Sequence, residues 1–448
     1  MSPTPLLPDH GAREAEGRDR RRDVPRSRLS RLGDGRRDPI GIIQAQNATR
    51  VPDLVSLRVE RMAAGPFAFY RGTAAIMAAD LAAGPSTGIL VPSCGDAHVA
   101  NFGFYASPQR TLVFDLNDFD EGAWAPWEWD VKRLVTSIVI SGQAVNRNQR
   151  VVEEAALSAV RTYARQLAAV AATSPTDRYY LHFDPKAVFG ELDAETRSTM
   201  RKAMREAKHR TGERAARKLT ERGEDGRLRF VEAPPTMTHV DEVVEENILE
   251  AIRRYTESVH VDIRLLMRHY VMTDIVRRVV GVGSVGTQCA LVLLQDGDGN
   301  ALLLQAKEAG RSVLIEHGRI EQPAEVSAYI EQHGEGGRVV ALQRILQALS
   351  DPMLGHLRAV RGIDFYVRQF RDMKGGIDTE LLDDVPFRHY ADACAAVLAR
   401  AHAQAVVAPA VAGYIGNGRV VGEAILEWAY AYAELSRRDY ELFVDTAI

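Results

Sequence analysis

Asp274–Gly310 reads DIVRRVVGVGSVGTQCALVLLQDGDGNALLLQAKEAG. A β-prone run leads into glycines, a second apolar run follows, DGDGN makes a tight turn, and a third apolar run ends in a lysine. Strand, glycine turn, strand, turn and strand predict an antiparallel sheet. Gly281, Gly283 and Gly286 form G-x-G-x-x-G with Ser284 between them. By itself that pattern is weak. In a dinucleotide-binding unit the third glycine opens a helix, with an acidic residue about 20 positions on. Here TQCALVLLQ follows instead, so the glycines sit at the tip of a hairpin suited to cover nucleotide phosphates, and Lys307 lies on the third strand, where such a site needs a phosphate-binding cation. The plainer alternative is a structural hairpin carrying an incidental lysine.

A second stretch, Cys94–Asp120, reads CGDAHVANFGFYASPQRTLVFDLNDFD and holds four aspartates, one histidine and two asparagines. Carboxylates this dense repel one another and resist burial unless a cation compensates. A divalent metal with a phosphate ligand would do so. Phosphoryl transfer needs positioned phosphates, neutralised charge and a carboxylate that orients the attacking hydroxyl. Asp96 suits that last role. Asn101, five residues on, is suited to offer a neutral oxygen to Mg²⁺, and Asp118 to bridge metal and phosphates. Magnesium takes few carboxylates together with phosphate and water oxygens, which matches this inventory. Asp120 is a further metal candidate. Strand alternation puts Asp118 and Asp120 on one face and Asp115 on the other, as structural support. His98 either anchors the loop or contacts phosphate. Trp124, Trp127 and Trp129 read as a packing corner. Asp130 opens an apolar helix as its cap, or hydrogen-bonds the Asp96 loop.

The 448 residues carry a net charge of −4, which gives no general polyanion-binding signal. Cys94, Cys289 and Cys394 lack C-x-x-C spacing, against a disulfide framework and a structural zinc site. There is no apolar run long enough to span a bilayer and no apolar core typical of a signal peptide, so the cytoplasm is the expected compartment, without membrane or specific nucleic-acid partners. Ten arginines lie between Arg13 and Arg37 with almost no large apolar side chains, which predicts a disordered tail over residues 1–38.

Helices are expected from about Pro66 to Leu81, over EWDVKRLVTSIVISGQAV and VVEEAALSAVRTYARQLAAVAA, through the charged stretch Glu195–Gly223, from Val240 to Tyr255, from Arg338 to Leu349, and over two long closing segments. Strands are expected at GILVPSCGD, RTLVFDLND and IDFYVRQFRD. Arg71, Arg368 and Arg371 are candidates for phosphate or an acidic substrate, with structural salt bridges the equal alternative.

Asp96, His98, Asn101, Asp118-Phe119 and Asp130 resemble the catalytic loop (H-x-D-x-H-x-x-N), the D-F metal strand and the later helix-start aspartate of kinase-like phosphotransferases of the aminoglycoside and choline kinase type. From Pro39 onward, RMAAGPFAFYRG, CGDAHVANFG, FDLNDFDEG, PWEWDVKRL and FYVRQFRDMKG are similar to a bacterial family known as domain of unknown function 2252. Segment order departs from the kinases: the glycine loop follows the catalytic loop. Reading 270–448 and then 88–270 restores the kinase order and puts LARAHAQ before the catalytic loop. The resemblance therefore implies an α+β, protein-kinase-like two-lobe fold that is circularly permuted, with a small antiparallel sheet lobe and a larger mainly helical lobe. The expected organisation is a helical lobe at 39–269, a nucleotide-binding β-rich lobe at 270–373, and C-terminal helices at 374–448 completing the helical lobe. It also implies an ATP- and Mg²⁺-dependent phosphotransferase acting on a small-molecule hydroxyl acceptor. Cys94 replaces the first loop histidine, and a glutamate to pair with Lys307 is not evident, Glu325 and Glu335 being candidates. The alternatives are an inactive nucleotide-binding regulator, a metal-dependent hydrolase using Asp96, His98, Asp115, Asp118 and Asp120, and an AMP transferase.

Overall fold

The structure, a computed structural model, describes residues 6–184, 190, 192–240, 242–279, 281–283, 285–359 and 362–446, with only the backbone of 242–249. It is a mixed α+β fold with small antiparallel sheets. The expected disordered tail is instead a helix, α1 (His10–Asp23), seated against the helix Ala408–Ile415. Arg18, Arg20 and Arg22 remain exposed beside acids of the same helix, but Arg21 and, just past the helix, Arg26 dock it. Arg21 Nε donates to the Tyr414 carbonyl at 3.0 Å and Arg26 to that of Ile415 at 3.2 Å, satisfying the open C-terminal end of that helix. Gly17 allows the approach, because a Cβ there would lie 1.8 Å from the Ala410 oxygen.

The segment expected as one helix from Pro66 breaks into Pro66–Arg71 and Ala74–Ala82, interrupted at Gly72 and Thr73. Beyond it, β1 (Leu90–Ser93) leads into the Asp96 loop. Next, β2 (Phe102–Ala106) pairs with β3 (Leu112–Leu116), and β4 (Ala123–Pro126) returns to pair with β1. Two long helices follow, α2 (Trp127–Ala144) and α3 (Gln149–Ala171). The charged stretch forms Ala194–His209 and Gly212–Leu219, then turns into a short strand at Thr220–Arg222.

The larger sheet is built from β5 (Met237–His239), β6 (Val271–Arg278), β7 (Cys289–Gln295), β8 (Ala301–Glu308), β9 (Gly355–Arg358) and β10 (Asp364–Gln369), in the order β9-β10-β8-β7-β6-β5. Its continuous apolar strands are buried on both faces. Leu291, Leu293 and Leu303 face a cluster with Ala215, Ala216 and Phe230. Val292, Leu294, Leu302 and Leu304 face Tyr255 and Val259. Each such side chain contributes about 1.5–3 kcal/mol when fully buried. Because β5 joins this sheet and Tyr255 packs beneath it, the sheet-bearing part begins before residue 270, earlier than the sequence suggests.

Helix α4 (Ala324–Leu346) lies between β8 and β9 and is kinked at Gly334, whose φ is +71°. It starts well before the expected Arg338, and its second half enters the main helical core through Val339, Val340, Leu342 and Leu346. A two-residue strand, β11 (Gly375–Gly376), pairs with β2. Then α5 (Asp384–His402) packs on α3, and a last helix, Arg419–Asp445, closes the core.

Candidate active site

One face of α2 holds the Asp96 loop. Asp130 accepts from the backbone N–H of Cys94 at 2.8 Å and of Gly95 at 3.0 Å. Three positions on, Arg133 Nε donates to Asp96 Oδ1 at 2.9 Å. Four further on, Ser137 Oγ accepts from the Val99 N–H at 3.0 Å. Positions i, i+3 and i+7 share a helix face, so a single rigid element fixes three points of the loop. Asp130 therefore takes the loop-bonding role read from the sequence. His402 on α5 braces it through an Nε2 contact of 3.2 Å, and its Nδ1 meets the Tyr163 hydroxyl at 2.7 Å.

Arg133 is buried, stacks over Tyr70 at 3.9 Å and donates to the Tyr70 carbonyl. Burial raises the Asp96 carboxyl above its ordinary range, against the pull of Arg133. His98 is 3% exposed, and burial pushes it well below its ordinary value, so the ring is neutral. Its Nε2 is 3.6 Å from Asp96 Oδ2, beyond a good hydrogen bond, and its Nδ1 is buried without a partner. A neutral ring does not favour ionic contact with phosphate, and among the described residues the ring makes none of the hydrogen bonds expected to anchor the loop.

Asp115 faces away from the site, accepting from the N–H groups of Ala348 at 2.9 Å and Leu116 at 2.8 Å, as support. Asp118 and Asp120 follow the end of β3 and turn toward Lys307. Lys307 Nζ lies 2.5 Å from Asp120 Oδ2 and 3.9 Å from Asp118 Oδ1. The Tyr366 hydroxyl donates to Asp120 Oδ1 at 2.5 Å. Both oxygens of Asp120 are thus engaged by Lys307 and Tyr366, whereas Asp118, the other carboxylate expected to hold metal, meets Lys307 only at long range. Burial alone would lower the Lys307 ammonium, but Asp120, Tyr366 and Asp118 hold it well above its ordinary range. Burial alone would raise Asp118, but Lys307, Arg368 and Lys374 hold it at about 2.

Neither glutamate candidate meets Lys307: Glu335 pairs with Arg338. Arg338 is buried and clasps the loop after β3, donating to the carbonyls of Asp120 at 2.9 Å, Gly310 at 2.8 Å and Gly122. Glu121 accepts from the Val313 N–H at 2.8 Å, and burial pushes its carboxyl up to about 7.

The β6–β7 connection carries the glycines. Gly281 and Gly286 adopt φ of +73° and +90°, conformations that favour glycine. Ser284 lies outside the described residues. The Val51 N–H donates to the Gly286 carbonyl at 2.8 Å, and Arg61 donates to that of Gly281 at 2.6 Å, which docks the hairpin tip on the N-terminal helices. Opposite the tip, a cavity of about 420 Å³ brings together Gly281, Gly283, Arg71, Asp96, Asn101 and Asp118. Arg71 Nε is buried there without a hydrogen-bond partner. Arg368 and Arg371 line a different cavity, of about 670 Å³, which shares Asn101 and Asp118 with the first.

Among the described residues no three His, Cys, Asp or Glu side chains gather to hold a metal ion. A site built from one carboxylate and one amide oxygen still fits magnesium, whose remaining ligands are phosphate and water oxygens. Asp118 Oδ1 is buried with no hydrogen-bond partner. The Asn101 amide nitrogen is tied to the Asp96 carbonyl at 2.8 Å, which leaves its side-chain oxygen free for a cation. Arg133, Ser137, Tyr366, Arg338 and Glu121 were not singled out from the sequence, and His402 entered only as part of LARAHAQ. The D-x-x-R spacing of Asp130 and Arg133 at the start of an apolar helix was the one readable signal.

The family model for DUF2252, described as an uncharacterized protein conserved in bacteria, matches residues 50–446. No curated protein matches the chain, and no solved structure does. Among the described residues no helix is long and apolar enough to cross a membrane.

Proposed function

Because the chain belongs to the DUF2252 family, whose description names no activity, we propose its function from the site itself: an ATP- and Mg²⁺-dependent phosphotransferase acting on a small-molecule hydroxyl. The observation that carries this reading is the meeting of Lys307 with Asp118 and Asp120 beside a cavity that the glycine hairpin and Asp96 both line. A circularly permuted kinase-like fold accounts for that meeting: a lysine on the third strand counted from the glycine hairpin, followed by a helix, faces a catalytic loop that comes earlier in the chain.

In this reading the hairpin tip and Arg71 cover the phosphates, and Lys307 neutralises them. Asn101 and Asp118 would hold Mg²⁺, which supplies charge neutralisation between the phosphates. Asp96, held by Arg133, accepts the proton of the attacking hydroxyl. Its raised carboxyl suits a proton acceptor, and general-base catalysis typically contributes 10²–10⁴-fold. Neutral His98 adds no positive charge beside the phosphates.

The test is Asp96→Asn, measured for ATP binding and for turnover against a panel of hydroxyl acceptors. The reading expects binding retained and turnover lower by about 10²-fold or more. Unchanged turnover would remove Asp96 as base. One observation favours a second reading, a nucleotide-binding regulator without catalysis. Lys307 is paired with Asp120 rather than with a glutamate of α4, so its charge is already compensated. That reading expects ATP to raise the melting temperature while no acceptor yields ADP.

A further inference from the structure

The cavity of about 670 Å³ on the far side of Asp118 has the size of a small-molecule site. Five basic side chains line it (Arg210, Arg278, Arg368, Arg371 and Lys374) against one carboxylate, Asp118, and burial beside Arg368 pushes the Lys374 ammonium down to about 7. Few of these charges are met by acids. Among the described residues Arg368 donates to neutral oxygens, Gln305 Oε1 at 3.3 Å and the Asn117 carbonyl at 3.4 Å, and Asp118 and Asp120 offset its charge without a direct hydrogen bond. Arg278 reaches the Met237 sulfur at 3.4 Å, and its Nε is buried without a partner. Arg210 has one loose contact, 3.7 Å from Glu206 on its own helix. The nearby acid Asp372 is taken by Arg110 at 2.5 Å.

The rim is strained as well. Arg371 and Met373 hold φ of +52° and +53°, a region non-glycine residues seldom adopt. The Met373 N–H is tied to the Arg210 carbonyl at 3.1 Å, which keeps that turn in place. Concentrated positive charge, offset only in part by Asp118, favours anions in a concave site, and guanidinium groups match phosphate oxygens in pairs.

We propose that this cavity binds the phosphate groups of a ligand that also reaches Asp118. The inference rests on the phosphotransferase reading only for what that ligand is. Phosphates here belong either to the far end of the nucleotide's phosphate chain, running from the hairpin cavity past the shared Asn101 and Asp118, or to a phosphorylated acceptor bound beside it.

The probe is inorganic tripolyphosphate, titrated calorimetrically into the full-length chain. Wild-type protein should bind it, and Arg368→Ala combined with Lys374→Ala should weaken binding at least tenfold. Arg371→Ala, at the exposed rim, should weaken it severalfold and serves if the double variant melts early. A control removing two charges elsewhere, Arg150→Ala with Lys202→Ala, should change it less than twofold. Competition by ATP assigns the phosphates to the nucleotide, and independent binding assigns them to an acceptor; both uphold the site. No binding to wild type, or equal losses in the control and cavity variants, overturns it. Lys307→Met separates the two readings. If it leaves ATP affinity intact while tripolyphosphate still depends on Arg368, the phosphotransferase reading fails and the anion site stands.

Discussion

Lys307 Nζ sits 2.5 Å from Asp120 Oδ2, although 187 residues separate the two in the chain. The contact ties the larger sheet to the loop after β3. Lys307 lies on β8 between Cys289 and Tyr366, and the Tyr366 hydroxyl takes the other oxygen of the same carboxylate.

Replacing Lys307 by Met should therefore cost both stability and ligand affinity. Removing one partner of a buried pair typically costs about 3–5 kcal/mol, because the other charge is stranded. Asp120 is partly open to solvent, so the lower end applies. Lys307→Met with Asp120→Asn should recover much of the melting temperature without recovering ATP binding. Thermal melts and ATP titration of the two variants check this. Restored binding in the double variant would show that the ammonium does not contact phosphate.

Asp130→Ala should uncouple the Asp96 loop from α2. It strands the N–H groups of Cys94 and Gly95 and removes the carboxylate that His402 contacts. Each stranded buried group costs about 1–3 kcal/mol. The expected kinetic signature is a fall in kcat with ATP affinity nearly kept, since Lys307 and the hairpin are anchored elsewhere. A purely structural role would lower stability and leave kcat of the folded fraction unchanged.

Glu121 should give stability a pH slope of unusual sign. Its carboxyl titrates near 7 in the folded chain, above the ordinary glutamate value of 4.5, so the folded state binds the proton more tightly. Stability then falls as pH rises from about 4.5 to about 7, where a depressed carboxyl would make it rise. Glu121→Gln can still accept from Val313 and should flatten that part of the curve, with higher stability than wild type above pH 7. Urea titrations of metal-free protein at pH 5, 6, 7 and 8 measure this. Parallel curves would show that Glu121 is charged throughout.

Gly286→Ala should cost more stability than Gly283→Ala in the hairpin tip. Its φ of +90° strains any L side chain, and a Cβ there would lie 3.0 Å from the Arg50 Cβ. About 1–3 kcal/mol is expected from such backbone strain. Gly283→Ala meets the Arg71 carbonyl at 3.4 Å and the Gly72 Cα at 3.8 Å, both ordinary contacts, without positive φ, and should be tolerated by the fold. Melting temperatures rank the two. A Gly283→Ala defect confined to ATP affinity would mark close approach of the phosphates at that position.

Periodicity and turn chemistry, both local, were enough to read the three strands around Gly281–Lys307, the helix opening near Asp130, and the separation of Asp115 from Asp118. The cluster Asp96, Asn101 and Asp118 was legible as well, because such carboxylate density is unfavourable without a cation. Local signals failed where long-range contacts redirected them. Arginine-rich residues 10–23 looked unable to bury surface, yet their donors meet carbonyls nearly 400 positions later, at the end of Ala408–Ile415. Composition averaged away the basic cavity, since five basic side chains on three separated segments leave no run in a chain of net charge −4.

The sequence by itself determined the residue chemistry and the local elements: a glycine hairpin, a lysine-bearing strand, and a loop dense in aspartate. Only the tertiary structure decided which aspartate pairs with Lys307, that Arg133 grips Asp96, and that cations collect beyond Asp118. Hydrogen bonds and ion pairs are short-ranged contacts between groups the chain must first bring together. That convergence is set by burial of the sheet faces and the helical core, and no local pattern encodes it.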